Sequence, residues 1–423
     1  MAFSYIEIPT TIYGISIGGQ SNGATSAERV NNETILIDNI SNGSEKSLMF
    51  LNGPLHNQSD EPLEELELLR ETAKQTGIFS YHGESGLTAG ANLLQNLGFD
   101  DFCIYGIFAV GGKGVGYFNS GYTSPQILID GGIEDITDIN DNWYNSVFKP
   151  YIIASNKTAT DRNVNYIHLI TADRQGEANN GAGVLDYYNL RKNNIHEQEA
   201  FIKSITGQTE NVISLSYQTS WNTLQNNPDP DFIDTFKPAT ATLDQLRLHE
   251  DGVSLITSAI YPFEHKSDEI HTNAKGQNDM GILRGYVFNR VINGLDSGLP
   301  YPSRNIQIVD KTITIEFLGD FVEPLLVDKS FWDTTDCGLS VKDKSGINNI
   351  NTITVSGRNI VLELDRFLNG LEGEREVSYA FEHRASNSLT SPHSGTGDIR
   401  DSSIIDPNRL DIRRWLPHFK IAF

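Results

Sequence analysis

Along roughly the first 294 residues, short apolar runs alternate with longer stretches whose apolar residues recur at helical spacing. The first run, Thr11-Ile12-Tyr13-Gly14-Ile15-Ser16-Ile17, passes through Gly18 and Gly19 and opens into Gln20-Ser21-Asn22-Gly23. Further strands are predicted at 34–37, 102–110, 165–172, 211–217 and 253–260, and helices at 61–75, up to Leu97, and at 185–205, 242–249 and 273–293. Residues 222–240, with Asn227-Pro228-Asp229-Pro230, read as a surface excursion. Alternating strands and helices predict a parallel sheet covered on both faces. From Tyr301 the runs become short, alternating and β-branched, at 312–317, 352–355, 360–364 and 377–381, which predicts a β-sandwich. The boundary falls at 294–302, dividing the chain into 1–296 and 297–423.

Charge and composition narrow the function. With 55 acidic against 32 basic residues the net charge is −23, the wrong sign for tracking a phosphate backbone or an anionic lipid surface. Nucleic acid is therefore not expected as a partner. The sequence lacks an apolar run of about 18 residues, so no membrane span is expected, and no secretory signal is read at its start. Cys103 and Cys337 lie far apart and suggest free thiols rather than a disulfide or a zinc site.

The strand ends carry the candidate chemistry. Ser21 stands where a strand turns sharply, which exposes a hydroxyl at the open edge of a parallel sheet; it would equally serve as a helix cap. The run at 102–110 ends in Gly111-Gly112-Lys113-Gly114, a loop whose bare backbone can turn an N–H toward a ligand oxygen. The strand at 165–172 leads to Asp173-Arg174-Gln175-Gly176-Glu177-Ala178-Asn179, and the last strand to Lys266-Ser267-Asp268-Glu269-Ile270-His271. A nucleophilic serine needs a base, and the base an orienting acid. His271 can take the proton from Ser21, with Asp268 holding the imidazole tautomer. The N–H groups of Ser21 and Gly112 with a side-chain amide would supply the oxyanion donors. His82-Gly83-Glu84-Ser85-Gly86, by contrast, reads as a structural turn.

Gly19-Gln20-Ser21-Asn22, Gly111-Gly112, Gln175-Gly176-Glu177-x-Asn179 and Asp268-x-x-His271 occur in an order and spacing that resembles the SGNH (GDSL-like) hydrolases, most of all their sialate O-acetylesterase and acetylxylan esterase branch. The resemblance spans about residues 8–294. It implies an α/β fold of three layers with a parallel five-stranded sheet, no metal or other cofactor, and hydrolysis of ester-linked acyl groups, commonly acetyl groups on carbohydrate. By that resemblance Ser21 is the nucleophile, His271 the base and Asp268 its partner. The broader family uses Gly-x-Asn-Asp in the third block where this chain has Gly176-Glu177-Ala178-Asn179. Gln175 is accordingly the preferred amide donor and Asn179 the substitute, with Gln20, Asn22, Gly111 and Glu177 in support; Glu177 reads equally well as a buried, paired carboxylate.

The second half is similar to β-domains attached to such esterases in bacteriophage tail and prophage proteins, including Gly397-Asp398-Ile399-Arg400-Asp401-Ser402 and Trp415-Leu416-Pro417-His418-Phe419. This resemblance implies a virion tail protein, outside the cell without a secretory signal, acting on an acetylated surface polysaccharide. Analogy adds a homotrimer or attachment to other tail proteins. Trp332 and Trp415 are read as core residues rather than sugar platforms. Two other functions fit the same sequence: a non-catalytic glycan-binding tail module, and an esterase for lipid or small-molecule esters.

Overall fold

The structure, a computed structural model, describes residues 10–19, 29–30, 33–34, 46–50, 65–69, 71, 84–109, 118–120, 143–176, 187–220, 240–266, 271–381, 383 and 395–423. Its strands in the first half are β1 (Thr11–Gly19), β2 (Arg29–Val30), β3 (Glu33–Thr34), β4 (Ser47–Phe50), β5 (Leu66–Leu68), β6 (Phe102–Ala109), β7 (Asn165–Arg174), β8 (Ile213–Gln218) and β9 (Leu255–Ala259). The helices are α1 (Leu87–Asn96), α2 (Lys149–Thr160, entered through a π-turn at Tyr144–Phe148), α3 (Tyr187–Thr206), α4 (Thr240–Glu250) and α5 (Ala274–Ile292).

Seven strands form the central sheet in the order β5-β4-β6-β1-β7-β8-β9. All neighbours are parallel except β5, which runs antiparallel to β4 at the edge. The sheet is thus larger than the five strands expected, by β4 and β5. Residues 65–69, expected within a helix, are extended instead. Leu66, Glu67 and Leu68 pair with Phe50, Met49 and Leu48, and the Leu69 N–H donates to the Ser47 carbonyl at 2.8 Å. Leucines spaced for a helix are captured by an open sheet edge, because cross-strand pairing outweighs weak local propensity.

Period-two alternation builds the three layers. On β6, Ile104 and Phe108 face Trp143, Phe148, Tyr151 and Ile152, whereas Tyr105, Ile107 and Ala109 face Leu87, Leu94, Val287 and Phe288. Helices α2 and α3 therefore cover one face and α1 and α5 the other. The 144–160 segment, absent from the elements predicted above, places Tyr144, Val147, Phe148, Tyr151, Ile152, Ser155 and Ala159 on its buried side. Those positions follow helical spacing. Helices α1 and α5 meet through glycines at Gly86, Gly90, Gly281 and Gly285. A Cβ on Gly281 would stand 2.0 Å from the Gly86 carbonyl oxygen, and one on Gly285 2.3 Å from that of Gly90.

From Tyr301 onward every strand pairing is antiparallel among the described residues. A five-stranded sheet carries Ile313, Ile315, Phe317, Ile360 and Leu362, and a four-stranded sheet carries Leu339, Val341, Val377, Tyr379 and Ile421; these residues share one core, as in a sandwich. Trp332 and Trp415 are buried within it. The same core takes in Leu246 of α4 and Ile256, Ala259 and Tyr261 from β9 and just beyond it. Polar contacts cross at the same place. Gln218 donates to the His418 carbonyl at 2.9 Å and accepts from the His418 N–H at 2.7 Å, while the Tyr261 hydroxyl donates to the Leu416 carbonyl at 3.0 Å.

Candidate active site

Strand β1 is the centre of the sheet, and the chain moves outward from it in both directions, through β6 and β4 on one side and β7, β8 and β9 on the other. That reversal of strand order is where open α/β sheets form a crevice beyond the strands' carboxyl ends. Gly19 closes β1 in register with Ala109, the last residue of β6, and with Arg174, the last of β7. Three strands thus end level with one another, immediately before Gln20-Ser21-Asn22 and Gln175-Gly176 and one residue before Gly111-Gly112. Of the predicted site residues, Ser21, Gln20, Asn22, Gly111, Gly112, Glu177, Asn179 and Asp268 lie outside the described residues. Gln175 and His271 are described.

Gln175 is buried as the first residue beyond β7. Its carbonyl accepts hydrogen bonds from Gln245 Nε2 at 2.6 Å and from the Tyr187 hydroxyl at 3.3 Å. The other end of the Gln245 amide accepts from the Thr219 N–H at 2.8 Å. One buried side chain on α4 therefore fixes the backbone just past both β7 and β8. Gly176 follows at φ 144, and a Cβ there would sit 2.8 Å from both Gln245 Nε2 and Thr219 Cγ2. Glycine is required because these two strand ends and α4 close onto the same backbone. Beside them the buried hydroxyls of Thr219 and Ser220 have no hydrogen-bond partner, so the β8 end presents unsatisfied polar atoms at the level of the crevice.

His271 stands at the base of the loop between β9 and α5. Its carbonyl accepts from the Lys266 N–H at 2.7 Å, and His265 and Thr272 form an antiparallel bridge, so the loop is closed at its base. Asp268 belongs to that loop in sequence. Asn273 then caps α5, its side chain accepting from the Gly276 N–H at 2.8 Å. The half-buried imidazole is thereby carried on a fixed turn at a helix start.

Two further groups support this edge. Arg174 turns to the α5 face, where it bonds Gln277 Oε1 and the Ser85 carbonyl. Asp173 turns to the opposite face and pairs with Arg191 Nε at 3.1 Å; burial pushes its carboxyl pKa up, against the pull of the guanidinium. Glu71 and Glu84 act structurally, as expected for the turn around Glu84. Glu71 accepts from the Ser85 hydroxyl and the Thr88 N–H, capping α1 from a distant segment, and Glu84 accepts from the Gly86 N–H.

The sheet interior holds a serine–histidine pair of its own. Ser16 Oγ and His168 Nε2 are 3.0 Å apart, with the Tyr166 hydroxyl on Nδ1 at 2.9 Å. Both lie within the sheet, and burial pulls the His168 pKa down to about 3. The pair has no carboxylate on its second nitrogen and no exposure, so it is a core hydrogen bond.

Sequence comparison is silent: no family model matches the chain, and no curated protein matches it. The fold is similar to that of a carbohydrate acetylesterase from Xanthomonas citri. That crystal structure aligns over 96% of this chain and 80% of its own, with a TM-score of 0.57 at 13% identity. A protein from Arabidopsis thaliana (TM-score 0.38, 14% identity, 65% of this chain and 96% of that one) and NanS (0.35, 12%, 58% and 76%) are more distant. The alignment with the acetylesterase spans both the parallel sheet and the antiparallel half, so the two parts recur together in one known fold. Sequence reasoning missed Arg174, Gln245 and Gln277. The first is adjacent to a candidate residue, but glutamines inside amphipathic helices carry no local signal of a tertiary partner.

Proposed function

We propose that the protein is a serine esterase that removes O-acetyl groups from a carbohydrate. The observation that carries this reading is the level ending of β6, β1 and β7 at the strand-order reversal, because each of the three ends runs directly into a segment suited to one part of the reaction. The likeness to a carbohydrate acetylesterase fold agrees with it. In the first half-reaction Ser21 Oγ attacks the acetyl carbonyl as His271 takes its proton, and the sugar hydroxyl leaves with that proton. In the second, water attacks the acetyl-enzyme, releasing acetate and returning the proton to Ser21. Asp268 orients the imidazole. The N–H groups of Ser21 and Gly112 and the Gln175 amide, or Asn179 in its stead, meet the oxyanion, each donor being worth about 3 kcal/mol.

We extend the proposal to the substrate and setting: an acetylated bacterial surface polysaccharide, met by a phage or prophage tail protein. This part rests on the resemblance of the antiparallel half to tail-associated β-domains, and a homotrimeric tail assembly would go with it. The deciding experiment is acetate release from p-nitrophenyl acetate and from acetylated polysaccharides, for the wild type beside Ser21→Ala. Release should vanish in the variant while its melting curve stays unchanged. Equal release by both proteins would end the serine mechanism, and binding of the polysaccharide without any release would leave a glycan-binding module.

A further inference from the structure

On the α5 face of the sheet, under the ends of β7, β8 and β9, lies a cavity of about 10 Å³. That is room for about one water molecule or a monatomic ion. Arg174 and Arg284 both border it, with Tyr217, Thr257 and Met280. Arg284 is only 5% exposed, and its Nη1 is buried with no hydrogen-bond partner. Arg174 is buried as well and bonds Gln277 Oε1 and the Ser85 carbonyl.

The Arg284 charge on this border has no counter-charge among the described residues. Asp173 is the one acidic residue on its border, and its carboxylate is engaged by Arg191 Nε at 3.1 Å. Asp173 and Arg174 are successive strand residues, so that carboxylate lies on the far face of the sheet from the arginines. No carboxylate pairs with Arg284 among the described residues. A guanidinium remains protonated inside proteins, and a buried charge without a counter-charge is strongly unfavourable. The Thr257 hydroxyl donates to the Ser216 carbonyl at 3.1 Å, so its proton is not available to the cavity.

We propose that this cavity is an anion site, occupied in solution by a chloride ion that Arg284 Nη1 binds directly, with Arg174 on the same border. The volume selects a halide over phosphate, sulfate or a carboxylate, all of which need several times the space. Because Arg174 closes β7 level with Gly19, an ion here also steadies the strand end that leads to Gln175.

The test needs no catalytic activity, so its outcome is independent of the esterase reading. Sodium chloride is exchanged for sodium gluconate at constant ionic strength, which removes general screening of the acidic chain, and the melting temperature is followed. The wild type should gain about 2 °C between about 1 and about 100 mM chloride, and bromide should act alike. Arg284→Met, which removes the charge and keeps an apolar stem, should lose that dependence. Superimposed chloride and gluconate curves, or a halide response that survives in Arg284→Met, would overturn the site. Should the variant not fold, wild-type crystals grown in sodium bromide decide: an anomalous peak beside Arg284 Nη1 supports the proposal, and its absence refutes it.

Discussion

Replacing Gln245 by leucine removes a side chain that touches no predicted reacting atom yet grips two strand ends. The variant loses the bonds from Nε2 to the Gln175 carbonyl at 2.6 Å and to the Tyr187 hydroxyl at 3.2 Å, and the acceptor for the Thr219 N–H at 2.8 Å. The Gln175 carbonyl keeps Tyr187 as a donor, so its loss is about 1 kcal/mol, whereas the stranded Thr219 N–H costs about 1–3 kcal/mol in a buried setting. The sum, about 2–4 kcal/mol, corresponds to a fall of roughly 2–5 °C in melting temperature for a chain of this length. If Gln175 donates to the oxyanion, freeing its backbone should also lower kcat by about 10- to 100-fold with little change in KM. Gln245→Glu gives a sharper test, because it keeps the shape and the Thr219 acceptor but sets a carboxylate oxygen against the Gln175 carbonyl. Burial would raise that carboxyl's pKa in the folded state, so its ionisation penalty relative to wild type should be absent below about pH 4.3, where the neutral acid donates again, and should grow as pH rises above that value until the raised folded-state pKa is passed. Urea denaturation and acetate release for the three proteins, each compared with wild type at the same pH, measure both effects. Wild-type stability and turnover in Gln245→Leu would refute the argument; lost stability with intact turnover would refute its catalytic half.

Acid should weaken the fold early. Burial holds His168 at about pKa 3 and His249 and His418 at about 4, so the folded chain refuses protons that the unfolded chain takes up below about pH 6.5. Each group then removes about 2 kcal/mol by about pH 5, and melting temperature should decline steeply over that interval; a flat profile would contradict the burial of these rings. Gly281→Ala should separate α1 from α5, since the new Cβ would stand 2.0 Å from the Gly86 carbonyl oxygen, with nothing but backbone to move. A loss of about 3 kcal/mol in urea denaturation is expected, and an unchanged midpoint would count against so close a packing.

The parts of the fold legible in sequence were those with strong local periodicity. β6, β7, β8 and β9, and the helices α3, α4 and α5, fall where the apolar spacing predicted them, because each buries a face at its own period. The edge was not legible. Ser47–Phe50 is too short to stand out in an Asn- and Ser-rich stretch, and the leucines of 66–69 fit a helix as well as a strand until a partner is known. The helix through Trp143–Thr160 carries a readable apolar stripe, masked by Asn, Ser, Thr and Pro150, all poor helix formers. For the site, glycines at strand ends gave the location of the crevice, since turns need them. Its supports, Gln245 beneath Gln175 and Arg174 against Gln277, join segments 70 and 103 residues apart and leave no local pattern.

The paired hydrogen bonds between Gln218 and His418 bear on how this protein can be divided. A chain cut after residue 296 would lack the segment at His418 that fills the Gln218 amide and would bare Leu246, Ile256 and Tyr261 to water, next to the edge where the candidate site forms. The parallel-sheet half is not to be had alone by trimming. Recombination that exchanged the antiparallel half for another β-module would have to bring a replacement for residues 414–419, so variation would be confined to the outer loops of the sandwich while its inner seam stays fixed.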